Sequence, residues 1–415
     1  MNIDNFKTIC VVGFGKSGIA LCNLLLSLKK KVIVSDISKS SEFESSVISQ
    51  LKNQGVDFEF EAHTADFIKK SQLIITSPGV DIFSSSLKDI AAGLMIPCVG
   101  EIEFSFWLTK ASIVAITGTN GKTTTSQLAY ELLKKKKKRI FLGGNIGTPF
   151  SSFVLKTRPH DIVVLEISSF QLETIIEFRP FIAALLNLEP DHMDRYKDFE
   201  SYCKAKMNLF RNQGPQDWAI LNKNIHFSRT CLDSIRSKTL FFSNEFDNEN
   251  FSSVYRIAGI FGFSKADCLA FFSTFKGFPH RLEFVADLKG VTYINDSKAT
   301  NPASTIWALK NIKTPVILLA GGKDKGLDYS AITPYLSRVR RINLFGESAG
   351  KINRALEPFE VKTDVFATLK EAVIAAHSQS KKGDTVLLSP MCSSFDEFKD
   401  YQDRGRTFID IVKSL

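Results

Sequence analysis

The sequence predicts an α/β protein of three domains, and three observations lead there. Its 415 residues exceed what one hydrophobic core ordinarily organises. Runs rich in Val, Ile and Leu recur along the chain as continuous stretches, not alternating ones, as expected of parallel strands buried on both faces. Two glycine-rich loops, at Val11–Gly18 and Thr117–Thr125, each follow such a run and precede a helical pattern. The expected organisation is a Rossmann-like N-terminal domain over 1–99, a central mononucleotide-binding, P-loop-like domain on a parallel sheet over 100–277, and a Rossmann-like C-terminal domain over 278–415.

In the first segment, "TICVVGFG" reads as a strand, "SGIALCNLLLSLKK" as a helix, and "KVIVSD" and "SQLIITSPG" as further strands. The middle segment repeats the pattern in "SIVAITG", "RIFLGGNIG", "DIVVLEISS", "FIAALLNLEPDH" and "DWAILNKN". These runs end in Gly, Asn, Ser or acidic residues, so the polar side chains gather at strand C-termini, the edge where open parallel sheets bind ligands. After "GFPHRLEF", the runs "PVILLAGGKDKG", "RINLFGESAG" and "DTVLLSPMCSSFDEF" each read as strand, turn-rich loop and helix.

Composition narrows the class. Hydrophobic residues make up 44% and charged residues 23%, as in soluble globular proteins. No apolar run approaches the ~20 residues that span a bilayer, and the N-terminus enters a strand too early for a signal peptide. Seven scattered cysteines, without a CxxC pair, suggest neither a zinc ribbon nor a disulfide framework and fit a reducing cytoplasm. The net charge of +9 suits anionic phosphate substrates. Its densest run, Lys134–Arg139, reads as a solvated helix end.

The loop "GFGKSG" fits G-x-G-x-x-G at Gly13, Gly15 and Gly18, with Asp36 closing the next strand as a candidate ribose-binding acid. Its glycines let a phosphate approach the backbone at a helix N-terminus, which does not distinguish NAD from any other nucleotide diphosphate. The loop "TGTNGKTT" is not a standard Walker A sequence, since Ile116 stands where a glycine would be needed. It still offers backbone N–H groups, the Lys122 ammonium and the Thr123 hydroxyl to phosphate oxygens and Mg²⁺.

G-T-N-G-K-T after a strand resembles the ATP loop of the Mur ligase family, the ATP-dependent amino-acid ligases of peptidoglycan precursor synthesis. The likeness continues in "GGNIG", "LEISSFQLE", "NLEPDHMDRY", "FPHRLE" and "NDSKATNP". "LEISSFQLE", "DHMDRY" and "SPMCSSFDEFKDYQDRG" are most similar to the members that add D-glutamate. The resemblance implies substrates UDP-MurNAc-L-Ala, D-glutamate and ATP, two Mg²⁺, and an acyl-phosphate route. By the same resemblance, Gly15, Lys16, Ser17, Asp36, Gly79 and Asn145 hold the UDP-sugar. ATP falls to Gly118, Thr119, Asn120, Gly121, Lys122, Thr123, Thr124, Asn250, Arg281 and Asp296. The implied D-glutamate contacts are Lys298, Thr300, Lys325, Ser394 and Tyr401. Lys122, His192 and Lys206 are the implied catalytic residues, and Thr123, Glu166, His192 and Lys206 (as a CO₂-derived carbamate) the implied metal ligands. A monomer without nucleic-acid partner or membrane insertion is expected.

Local pattern separates the two lysines of "DFESYCKAKMNLFRNQG", which reads as a helix ending at Gly214. Lys206 shares an apolar stripe with Phe199, Tyr202, Cys203, Leu209 and Phe210, whereas Lys204 neighbours Glu200, Ser201, Met207 and Asn208. Desolvation on the stripe favours the neutral amine that adds CO₂. The chain departs from the family at "FDNEN", where only Asn250 of an H-N-x-x-N adenine motif stays in register, and at Tyr401, a position often held by Phe. The alternatives are another ligase of the family, adding L-alanine or a diamino acid, an NAD(P)-dependent oxidoreductase built on the first loop, and a nucleic-acid-binding protein.

Overall fold

The computed structural model describes residues 3–82, 86–145, 147–193, 195–227, 232–246, 248–275, 277–359 and 361–415. It is a three-domain α/β architecture on three sheets. The first sheet contains β1 (Thr8–Val12), β2 (Lys31–Asp36), β3 (Asp57–Phe60), β4 (Leu73–Thr76) and β5 (Cys98–Gly100), in the order β3-β2-β1-β4-β5 and all parallel. The second contains β6 (Ser112–Thr117), β7 (Ile140–Gly144), β8 (Ile162–Glu166), β9 (Ile182–Leu185), β10 (Trp218–Asn222) and β11 (Lys238–Phe242), in the order β11-β10-β9-β6-β8-β7, again all parallel. The expected reason holds: β1, β4, β6, β8 and β9 are buried along almost their whole length, so their runs show no alternation.

The third sheet is mixed. Its order is β12 (Glu283–Leu288), β13 (Val291–Asn295), β17 (Thr385–Met391), β14 (Val316–Gly321), β15 (Val339–Phe345), β16 (Thr363–Val365). β12 pairs antiparallel with β13 across a tight Lys289–Gly290 turn, and the other pairs are parallel. The sequence reading treated "PHRLEF" as a junction and did not anticipate this edge strand. Its mostly half-exposed residues lack the continuous apolar signature.

Met1–Ser273 forms one compact unit and Thr274–Leu415 another. Within the first, one apolar core spans both sheets, from Ile9, Val11, Val34 and Ile75 to Ile113, Ala115, Val163, Leu185 and Leu221, while Cys10, Val12, Ile33 and Ile74 belong to a separate cluster of the first sheet. Each such side chain contributes about 1.5–3 kcal/mol on full burial. In the second unit the sheet separates two cores. Leu318, Ile342 and Leu387 face one, and Ile317, Leu319, Val386 and Leu388 the other. Among the described residues, no helix is long and apolar enough to cross a membrane.

Candidate active site

Each sheet presents three neighbouring loops at its C-terminal edge, and the residues singled out in the sequence gather there. In the first sheet β2-β1-β4 bring together Asp36, the glycine loop and the Ser77–Gly79 turn. Gly15 caps the Lys16–Ser27 helix, and Gly15, Lys16 and Gly79 are exposed. Ser17 is half-buried. A Cβ on Gly18 would lie 2.0 Å from the Gly13 carbonyl oxygen, which is why the third glycine of the motif must be one. Ser77 Oγ donates to Gly13 O at 2.8 Å, tying the two loops. Asp36 is buried, and its oxygens accept N–H groups from Phe14 (2.6 Å) and Ser38 (2.8 Å), so the acid shapes the loop from within.

In the second sheet β9-β6-β8 juxtapose the loop 118–121, the Glu166–Gln171 segment and the 186–192 stretch. Gly121 sits at φ +79°, and a Cβ there would lie 2.5 Å from Asn250 Oδ1. Asn250 in turn accepts from Thr125 Oγ1 at 3.1 Å, so it packs against the floor of the loop. Lys122 Nζ donates to the carbonyls of Gly118 (2.9 Å) and Thr119 (2.8 Å). Thr123 is buried and Thr124 half-buried in the first turn of the helix that follows.

Two residues with no role in the sequence reading hold this loop's shape. Asn187 Oδ1 accepts from Asn120 N at 2.7 Å while its Nδ2 donates to Asn120 O at 3.1 Å, clamping one peptide unit from both sides. Glu189 accepts from Asn120 Nδ2 at 2.9 Å. Thr119 Oγ1 donates to Glu189 O and lies 3.0 Å from Tyr202 Oη. The available signal was "NLEPDH", a polar run placed immediately after a buried strand.

Glu166 closes β8 and is 2% exposed. Its Oε1 accepts from Asn145 Nδ2 at 3.1 Å, pairing a residue expected at the UDP-sugar with one expected at a metal. Its Oε2 is buried without a hydrogen-bond partner in the described structure. A buried carboxylate oxygen left unsatisfied is costly, and a hard cation suits it. Among the described residues no three His, Cys, Asp or Glu side chains converge on a metal position. One buried carboxylate oxygen of this kind would suit Mg²⁺, which usually keeps waters and takes substrate phosphates in its remaining places.

Lys206 is 1% exposed on the Phe199–Met207 helix, and its Nζ donates to Gly118 O at 2.8 Å above the Tyr202 ring. Burial holds its ammonium well below the usual lysine range, and the charge of Lys122 adds to this. Lys204, on the other face, is exposed and pairs with Glu200 at 2.8 Å. The stripe was read correctly at Tyr202, Lys206, Leu209 and Phe210, and wrongly at Phe199 and in the helix's end point. The α-helix stops at Met207 and tightens into a 3₁₀ turn over Asn208–Phe210, well short of Gly214. Phe199, in the first turn behind the Asp198 cap, is 39% exposed. His192 adopts φ +57°, with its ring edge-on to Phe170 at 4.7 Å and its Nε2 3.7 Å from Asp191 Oδ2.

In the second unit β13-β17-β14 place three loops side by side. Lys298 and Thr300 follow β13, Lys325 follows β14 and is exposed, and Ser394 follows β17 and is buried. Lys298 Nζ lies 5.0 Å from the centroid of the Tyr401 ring. Asp296 accepts from Ser389 Oγ (2.8 Å) and Leu282 N (3.3 Å), and burial pushes its carboxyl up to about 7 against the opposing pull of Arg281. Arg281 is half-buried. Cys392 is fully buried between Ser348 and Tyr329, a packing residue with its thiol pushed up by burial.

Sequence reasoning missed Arg404. It is fully buried and donates to Ser297 Oγ and O, Gly321 O, Cys392 O and Ser393 O, thereby lacing all three loops together. Burial lowers its guanidinium to about 10.

Compared with known proteins, the chain is 38% identical to the UDP-N-acetylmuramoylalanine–D-glutamate ligase of Thermoanaerobacter sp. (strain X514), over 99% of this chain and 98% of the relative. The chain belongs to the Mur ligase family. Three Mur ligase models match it in sequence order: the MurD-like N-terminal domain at residues 7–100, the middle domain at 116–284 and the glutamate ligase domain at 280–392. The enzyme of the same name from Koribacter versatilis is also 38% identical, over 99% of this chain and 98% of its own. Among solved Mur ligases, UDP-N-acetylmuramate–alanine ligase MurC of Thermotoga maritima superposes with a TM-score of 0.60 at 17% identity, covering 99% of each chain. MurF of the same organism, solved with ADP, gives 0.60 at 16% identity, over 92% of this chain and 94% of MurF. These two likenesses speak to the fold.

Proposed function

We propose that this chain joins D-glutamate to UDP-MurNAc-L-Ala at the expense of ATP, in cytoplasmic peptidoglycan precursor synthesis. The observation that carries the mechanism is the pairing of the buried Lys206 amine with the Gly118 carbonyl of the phosphate loop, one strand away from Glu166 and its unpartnered oxygen.

The alanyl carboxylate attacks the γ-phosphorus of ATP, giving an acyl phosphate and ADP. The amine of D-glutamate then attacks the acyl carbon, the new amide forms, and inorganic phosphate leaves. Both partners in the first step are anions, so positive charge must lie between them. Lys122 supplies it by turning its ammonium from the Gly118 and Thr119 carbonyls towards the phosphates. Thr123, Glu166, His192 and Lys206, the last as a carbamate, would hold Mg²⁺, which supplies charge neutralisation to the triphosphate and the developing acyl phosphate. Burial of Lys206 keeps the amine neutral enough to add CO₂.

Gly15, Lys16, Ser17 and Gly79 surround the UDP diphosphate and sugar, and Asp36 and Asn145 orient the backbone and side chains there. Asn250 supports the ATP loop, and Arg281 and Asp296 serve ATP from the C-terminal domain. Lys298, Thr300, Lys325, Ser394 and Tyr401 take D-glutamate, whose two carboxylates suit two lysines and neighbouring hydroxyls. Residues 1–99, 100–277 and 278–415 are the UDP-sugar, ATP and amino-acid domains, working as a monomer. Phosphate release from ATP with UDP-MurNAc-L-Ala, with and without D-glutamate, tests this reading. Turnover with L-alanine or a diamino acid instead, or without ATP, would reject it.

A further inference from the structure

Three loops of the first unit meet at Arg195. Its Nη2 donates to Glu173 Oε2 at 2.7 Å, and its Nε lies 3.7 Å from Asp81 Oδ2. The guanidinium centre lies 4.0 Å from the centroid of the Phe170 ring. Phe170 in turn meets the His192 ring at 4.7 Å between centroids. The loop after β4 contributes Asp81, two residues beyond Gly79, the segment after β8 contributes Phe170 and Glu173, and the stretch after β9 contributes His192 and Arg195 themselves.

His192 holds a left-handed backbone conformation, φ +57°, which is uncommon outside glycine. The turn behind it is closed by Arg195 N and Tyr196 N, both donating to His192 O at 3.0 Å. The side chains of Arg195 and Glu173 are only 13% and 8% exposed. Removing one member of so buried a pair leaves the other charge uncompensated, so the pair holds the turn firmly.

We infer that Arg195 is a positioning residue, transmitting the placement of the loop carrying Gly79 to His192 through Glu173 and Phe170. This rests on the ligase reading, which gives both loops their substrates. Arg195 touches no reacting atom. Its effect should appear in kcat and in the Mg²⁺ requirement, because His192 is the group it places.

The test is phosphate release across Mg²⁺ and each substrate for the wild type, Arg195→Met, Arg195→Lys, Asp81→Asn and the Arg195→Met/Asp81→Asn double variant. Arg195→Met is expected to lower kcat at least tenfold and raise half-saturating Mg²⁺ several-fold, with KM for D-glutamate within twofold of wild type. Arg195→Lys keeps the charge opposite Glu173 and should recover part of kcat, which keeps the question answerable if the methionine variant does not fold. Asp81→Asn should lower kcat in the wild-type background and do nothing further in the Arg195→Met background. Unchanged kcat and Mg²⁺ dependence in both Arg195 variants, or additive effects of the two substitutions, would overturn the inference. A wild-type chain that releases no phosphate with all three substrates would instead overturn the ligase reading.

Discussion

Lys206 Nζ donates a 2.8 Å hydrogen bond to the carbonyl oxygen of Gly118, a residue 88 positions earlier in the chain. That bond pins the amine to the mouth of the phosphate loop. In the proposed mechanism it is Lys206, and not its exposed neighbour Lys204, that takes part. Lys206→Ala is expected to lose at least about a hundredfold in phosphate release and to recover part of it with millimolar acetate, a carboxylate small enough to replace the carbamate. Lys204→Ala, which breaks only an exposed pair with Glu200, should stay within twofold of wild type. In CO₂-depleted enzyme, added bicarbonate should restore activity to the wild type but not to Lys206→Ala. Indifference of Lys206→Ala to acetate would count against a carbamate.

Glu166→Gln keeps an oxygen for Asn145 and removes the charge. It is expected to raise half-saturating Mg²⁺ about tenfold or more while binding of UDP-MurNAc-L-Ala, measured by calorimetry, stays within a few-fold. Weakened sugar binding with an unchanged Mg²⁺ requirement would mean that Glu166 serves the sugar and not the metal.

Asn187→Ala removes both halves of the clamp on Asn120. Loss of the paired contacts should cost about 1–3 kcal/mol. The cost should appear as weaker ADP binding, with KM for D-glutamate unchanged. Asn187→Asp, which keeps the acceptor and loses the donor, should fall between.

Asp296 gives the second unit a pH signature. Its folded pKa of about 7 lies above the ordinary carboxyl value of 3.8, so the fold favours the neutral acid. That stabilisation is complete below about pH 4 and is lost as pH rises through about 7, with a slope of at most about 1.4 kcal/mol per pH unit. Urea unfolding of the wild type should therefore show this component falling between pH 5 and pH 8. Asp296→Asn should flatten it. A wild-type profile with no such fall would contradict a buried, protonated Asp296.

Arg404→Met should destabilise the second unit by about 3 kcal/mol or more, since four carbonyls lose a charged donor. Arg404→Lys should be milder but still weakened, because an ammonium cannot span the same fork of acceptors. Urea midpoints followed by circular dichroism measure both.

Much of this was legible in the sequence because buried parallel strands announce themselves. "KVIVSD" was read as Lys31–Asp36 and is β2 to the residue. Glu166 and Lys206 enter through the resemblance to the family, and for Lys206 the apolar stripe around it adds support. The misses have a common cause. β12 is half-exposed or exposed along its whole length and sits at a sheet edge, so its periodicity is weak. An arginine in a helix reads as a surface residue, and only loops about 10 to 110 positions away make Arg404 an interior one. The Asn187 clamp and the Arg195–Glu173 pair likewise join separate strand ends, which single-sequence periodicity does not connect.

The shared core of the first unit ties the fates of its two glycine loops together. Because Ile9, Val34, Ala115 and Leu185 belong to one cluster, a substitution that loosens packing beneath the Gly13–Gly18 loop also softens the ground under the Gly118–Thr125 loop.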